Sequence, residues 1–65
     1  MKDYTNSQIC AIIDDNIHDK RARTILKLRL CDHCTYEEIA EEVDRSVRQV
    51  GYTLNKYIPT IAKHL

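Results

Sequence analysis

The chain has 65 residues, of which 43% are apolar, with one Gly, one Pro and neither Phe nor Trp. That is enough for one small core and too little turn chemistry for a set of β-hairpins, so the composition points to an all-α fold spanning 1–65 as one domain. No apolar run approaches the roughly 20 residues that span a bilayer, and the polar start Met1-Lys2-Asp3-Tyr4 does not read as a signal peptide, which together predict a cytoplasmic protein with no membrane partner.

In chain order, Thr5 followed three residues later by Gln8 is a capping box, and Tyr4 is placed to staple onto Ile9. The helix it opens should run to about Ile17 with Ile9, Ile12, Ile13 and Ile17 on one stripe. Asp19 caps a second helix whose Ala22, Ile25, Leu26, Leu28, Leu30 and Cys31 form an arc too wide for water, which assigns it to the centre of the core. Its opposite face carries Lys20, Arg21, Arg23, Lys27 and Arg29, read first as a solvated face and second as reach towards phosphates. Asp32-His33 makes a tight connection. Thr35 with Glu38 forms a second capping box, flanked by the staple pair Cys34 and Ile39, and predicts a short helix over 36–43.

Asp44 can take the left-handed conformation of a sharp turn, because its short polar side chain tolerates positive φ better than most. Ser46 with Gln49 is a third capping box. The last helix then starts at Val47 and should bury Val50, Leu54, Tyr57 or Ile58, Ile61 and Leu65. Pro59 lacks a backbone donor and clashes with the carbonyl four residues earlier, which predicts a kink or a brief break near Ile58.

Two helices joined so tightly, with Ile39, Val43 and Val50 facing one another and the small Ala40 where the axes cross, have helix-turn-helix geometry over about 35–55. Such a motif projects its second helix so that the first turns enter the major groove, where base edges offer a distinguishable code. Charge is distributed to suit: six basic and ten acidic residues precede Arg45, a net −4, whereas four basic and no acidic residues follow from Arg45 onward, a net +4. Arg48 can pair bidentately with guanine, Gln49 with adenine, and Tyr52 and Asn55 with base edges or phosphates, while Arg45 and Lys56 suit phosphates.

Three runs carry a family resemblance: Arg23-Thr24-Ile25-Leu26-Lys27-Leu28-Arg29-Leu30, Thr35-Tyr36-Glu37-Glu38-Ile39-Ala40-Glu41-Glu42-Val43, and Ser46-Val47-Arg48-Gln49-Val50. Over about residues 21–58 the chain resembles the fourth region of bacterial sigma factors, and more closely the small sigma-like proteins of phages and mobile elements in Gram-positive bacteria. The resemblance implies sequence-specific duplex DNA binding in transcription regulation, with RNA polymerase as a second partner. It sets the DNA-facing positions at Ser46, Val47, Arg48, Gly51, Tyr52 and Asn55. Three positions depart from the family pattern. Arg45 stands at a usually apolar turn position, Gly51 where Lys or Arg is frequent, and Thr53 where an aliphatic is usual. Gly51 either permits close approach of a backbone or records lost DNA binding.

Other chemistry finds little support. Cys31-Asp32-His33-Cys34 is a CxxC sequence, but no second cysteine pair completes a zinc set, and redox motifs of this kind sit in a βαβ context. Three cysteines cannot pair fully, so reduced thiols acting as small core hydrophobes are expected, with no metal and no cofactor. The carboxylates Asp14-Asp15 and Glu37-Glu38-Glu41-Glu42 read as solvated helix faces, the latter favoured by the helix dipole, and His18, His33 and His64 have no nucleophile at a suggestive spacing, so no enzyme is expected. An adapter that docks its acidic half on RNA polymerase or another regulator is the alternative to a DNA reader. The apolar C-terminal stripe of Ile58, Ile61 and Leu65 leaves room for a homodimer.

Overall fold

A computed structural model describes residues 5–64. Four helices follow one another: α1 (Asn6–Asn16), α2 (Lys20–Leu30), α3 (Tyr36–Val43) and α4 (Val47–Lys63), with no strand among the described residues. Each starts where a side-chain oxygen satisfies backbone N–H groups that have no partner inside the helix. Thr5 and Thr35 do so in complete capping boxes with Gln8 and Glu38. Asp19 accepts from the N–H groups of Arg21 and Ala22.

Ser46 accepts from the Gln49 N–H at 3.2 Å, but the Gln49 side chain does not return the bond, so the expected third box is a simple cap. The Gln49 amide is thereby free for other work. The Tyr4–Ile9 staple lies outside the described residues.

Both α2 and α4 pack on all three other helices, whereas α1 and α3 do not meet. The core therefore sits along α2 and α4. Ile13 and Ile17 enter it from the α1 side, Ala22, Ile25 and Leu26 from α2, Ile39 and Ala40 from α3, and Val50, Leu54 and Ile61 from α4. Leu28, Leu30 and Cys34 are half-buried around it. Tyr57 packs against this cluster and Ile58 is left exposed, which decides between the two candidates for the middle of the last stripe. Ile61 closes the chain's own core, so of the C-terminal stripe only Ile58 remains uncovered among the described residues.

The α4 helix runs without interruption through Pro59. Proline still removes the bond to the carbonyl of Asn55, but a break and restart does not occur. Leu54 before the proline and Ile61 after it are both buried in the same core, and that shared burial holds the two segments in register.

The turn between α3 and α4 is built as the residues require. Asp44 has φ 56° and ψ 48°, in the left-handed region. The N–H groups of Asp44 and Arg45 both donate to the carbonyl of Ala40, the latter at 3.0 Å, which seals the end of α3. His33 also has a positive φ, 58°, at the turn between α2 and α3. Histidine is among the residues that enter this region more readily than most, though composition alone did not mark the position.

Candidate nucleic-acid interface on α4

The first two residues after the turn, Arg45 and Ser46, are exposed, and Ser46 spends its hydroxyl on the cap. Along α4, Val50, Leu54 and Ile61 point into the core, so at about 3.6 residues per turn the opposite side of the helix carries Arg48, Tyr52 and Asn55. All three are exposed, Tyr52 to 60%. An exposed tyrosine offers a partner both an aromatic face and a phenolic hydroxyl. The Arg48 guanidinium lies over the Tyr52 ring, 5.9 Å from its centroid, which presents cation and phenol together.

Two flanks border this face. On the α3 side stand Val47, 42% exposed, and Gly51, half-buried. A Cβ at Gly51 would sit 3.7 Å from Cε2 of Tyr36, an ordinary van der Waals distance, and the residue has no positive φ. The fold itself therefore makes no demand for glycine there. On the other flank stand Gln49 and Lys56, both exposed, with the Lys56 ammonium 5.3 Å from the centroid of the Tyr57 ring.

This second flank opens into a shallow cleft of about 260 Å³ lined by Arg21, Ile25, Arg45, Gln49, Tyr52 and Thr53. Arg21 is exposed, on the α2 face that the sequence reads first as solvated and second as reaching towards phosphates. Tertiary packing carries α2 alongside α4, so that Arg21 and Arg45 line one cleft. Thr53, one of the three positions that depart from the expected pattern, lines the same cleft. No sequence signal joins Arg21 to Arg45, because they come to one cleft only through the packing of α2 on α4.

Two other basic residues of α2 are engaged within the fold. Lys27 forms an ion pair with Asp14 of α1, 2.8 Å between Nζ and Oδ1. Arg29 donates to the carbonyl of Cys34 at 2.9 Å and lies 5.1 Å from the centroid of the Tyr36 ring, bracing the entry to α3. The nine positions expected from sequence, Arg45, Ser46, Val47, Arg48, Gln49, Gly51, Tyr52, Asn55 and Lys56, thus share the N-terminal three turns of α4 and its preceding turn, and eight of them are exposed.

A family model described as sigma-70, region 4, matches residues 19–56, more than half of the chain. The chain belongs to the sigma-70 region 4 family. The match begins at the cap of α2 and ends on α4 just beyond Asn55, so it takes in the helix-turn-helix and the helix that buttresses it and leaves α1 outside. No curated protein and no solved structure matches the chain. As a sigma region 4 domain, it is a DNA-binding helix-turn-helix with a role in transcription, in a family whose members bind DNA and RNA polymerase and are not enzymes.

Among the described residues no three His, Cys, Asp or Glu side chains converge as a metal would require. No described helix is long and apolar enough to cross a membrane.

Proposed function

We propose that this chain is a sequence-specific reader of duplex DNA that regulates transcription in the cytoplasm, a sigma-like factor of phage or mobile-element type, with α4 entering the major groove. The observation that carries the reading is the exposed Arg48–Tyr52–Asn55 face, directly opposite the buried stripe of a helix held at its start by the Asp44 turn and the Ser46 cap. Arg48 reads guanine through a bidentate pair and Gln49, released from the cap, reads adenine. Tyr52 and Asn55 reach base edges one turn further along, and Val47 offers a methyl-bearing surface to thymine. Arg45 and Lys56 bind phosphates on one side of the groove, and Arg21 joins Arg45 in the same task from α2.

Selection of bound duplexes from a random pool, followed by titration at several salt concentrations, tests this assignment. Affinity falls as salt rises, and Lys56→Ala weakens binding to all sequences while reducing the salt slope by about one. Arg48→Ala chiefly relaxes preference among sequences. A pool that never enriches, with no binding at low salt, would overturn the reading. The adapter is favoured in that event by one feature, the exposed Glu37, Glu41 and Glu42 of α3, an acidic surface suited to a basic site on RNA polymerase. Charge reversal at these positions would then abolish polymerase binding.

A further inference from the structure

The cysteines lie outside the proposed DNA-facing positions, and two of them meet. Cys10 lies in the middle of α1 and Cys31 caps the end of α2, twenty-one residues apart, yet their Sγ atoms are 3.0 Å from each other. Both thiols are free. This contact belongs to a larger seam. One turn before Cys10, the Asn6 side-chain amide donates to the carbonyl of Cys31 at 3.1 Å, and the Cys31 thiol reaches the backbone carbonyl of Asn6 at 3.7 Å. The first turns of α1 are thus fastened at two levels to the residue that ends α2.

We propose that Cys10 and Cys31 form an oxidisable dithiol, a site at which a low-molecular-weight disulfide converts the reduced domain into one cross-linked between α1 and α2. A disulfide requires a bond of about 2.05 Å, so the two sulfurs need to close by only roughly 1 Å, a displacement within reach of side-chain torsion. Accessibility orders the steps. Cys31 is buried and Cys10 is half-buried, so the external reagent meets Cys10. The Cys10 thiolate attacks one sulfur of the reagent, forming a mixed disulfide and expelling one thiolate. Cys31 then gives up its proton and attacks the Cys10 sulfur, expelling the second. Two protein thiols are oxidised, the reagent is reduced to two thiols, and the two protons pass to the departing thiolates.

The CxxC spacing would favour a bond between Cys31 and Cys34 in an unstructured chain, because the loop is so short. The fold directs Cys31 elsewhere. Beyond it the chain turns through the left-handed His33, and Cys34 packs against the core next to the start of α3 without a thiol contact among the described residues. Burial, reinforced by the carboxylates of Glu38, Asp32 and Glu42, raises the pKa of the Cys34 thiol as it does that of Cys31, so distance from Cys10 and not acidity separates the two. The odd cysteine is thereby kept out of exchange. Burial, with the Cys10 thiol beside it, likewise pushes Cys31 up to about 11, consistent with its acting second, on a disulfide already formed next to it.

The test treats the reduced protein with oxidised glutathione in native buffer, traps remaining thiols by alkylation and reads intact mass and a peptide map. The expected product has lost two hydrogens, carries one alkyl group on Cys34, and yields a cross-linked peptide joining Cys10 to Cys31. Its melting temperature rises on the order of 10 °C, since the bond closes a loop that includes the whole link from α1 to α2. Cys34→Ser forms the same bond, and Cys10→Ser forms no internal bond. A Cys31–Cys34 bond, a glutathione adduct on Cys10 that never resolves, or an unchanged product from Cys10→Ser would each overturn the proposal.

Discussion

Gly51 is the position at which the structure makes the sharpest claim about this chain. It stands in the second turn of α4, well inside a helix of 17 residues, and its φ is not positive. Glycine in such a place costs about 1 kcal/mol relative to alanine, because it loses more backbone freedom on folding. The new methyl of Gly51→Ala would lie 3.7 Å from the Tyr36 ring edge, near the optimum for carbon contacts, adding a tenth or two for each atom pair. The substitution should therefore stabilise the domain by about 1 kcal/mol, or roughly 4 to 8 °C in melting temperature for a domain of this size. Thermal unfolding followed by far-ultraviolet circular dichroism measures the shift, and urea titration shows whether the midpoint moves at constant slope. An unchanged or lowered midpoint would refute the reasoning, because it would mean that the α3–α4 contact needs the space that glycine leaves. The same position then discriminates function. Gly51→Arg should gain the helix propensity and, if this flank faces DNA, steepen the salt dependence of binding by about one phosphate contact, which Gly51→Ala cannot do.

Ala40 is 8% exposed in the core cluster, between α3 and its neighbours, so Ala40→Leu should destabilise by about 1 to 3 kcal/mol through overpacking; an unaltered melting temperature would show that the helices do not approach closely there. Asp44→Val places a β-branched side chain at φ 56° and should cost about 1 to 2 kcal/mol in a urea titration, whereas Asp44→Asn should be nearly neutral; equal losses would deny that backbone conformation is the cause. Hydrogen bonds from the Thr35 backbone and hydroxyl to the Glu38 carboxylate hold its pKa below the ordinary range, so the stability it contributes is present above the unfolded-state pKa and is lost as pH falls through the lower folded value. Glu38→Gln keeps an acceptor but cannot titrate, and melting temperatures measured across the acid range should fall less steeply for it than for the parent; parallel curves would refute the linkage.

Much of this molecule was legible one turn at a time. Thr5 with Gln8, Asp19, Thr35 with Glu38, and Ser46 each mark a helix start, because a cap is a bond between residues two or three apart and needs nothing from the rest of the chain. Asp44 announced its turn for the same reason, and the spacing of Ile13, Ile17, Val50, Leu54 and Ile61 named the buried faces. Since the core face of α4 was legible, so was the opposite face, and with it Arg48, Tyr52 and Asn55. The tertiary structure decided what depends on how helices cross. It chose Tyr57 over Ile58, carried α4 unbroken through Pro59, paired Lys27 with Asp14, brought Arg21 and Arg45 to one cleft, and brought Cys10 against Cys31. None of these is a local property. Each joins residues on different helices, or weighs a local cost against burial on both sides of it, and the relative placement of helices follows from packing of the whole core rather than from any segment's own periodicity.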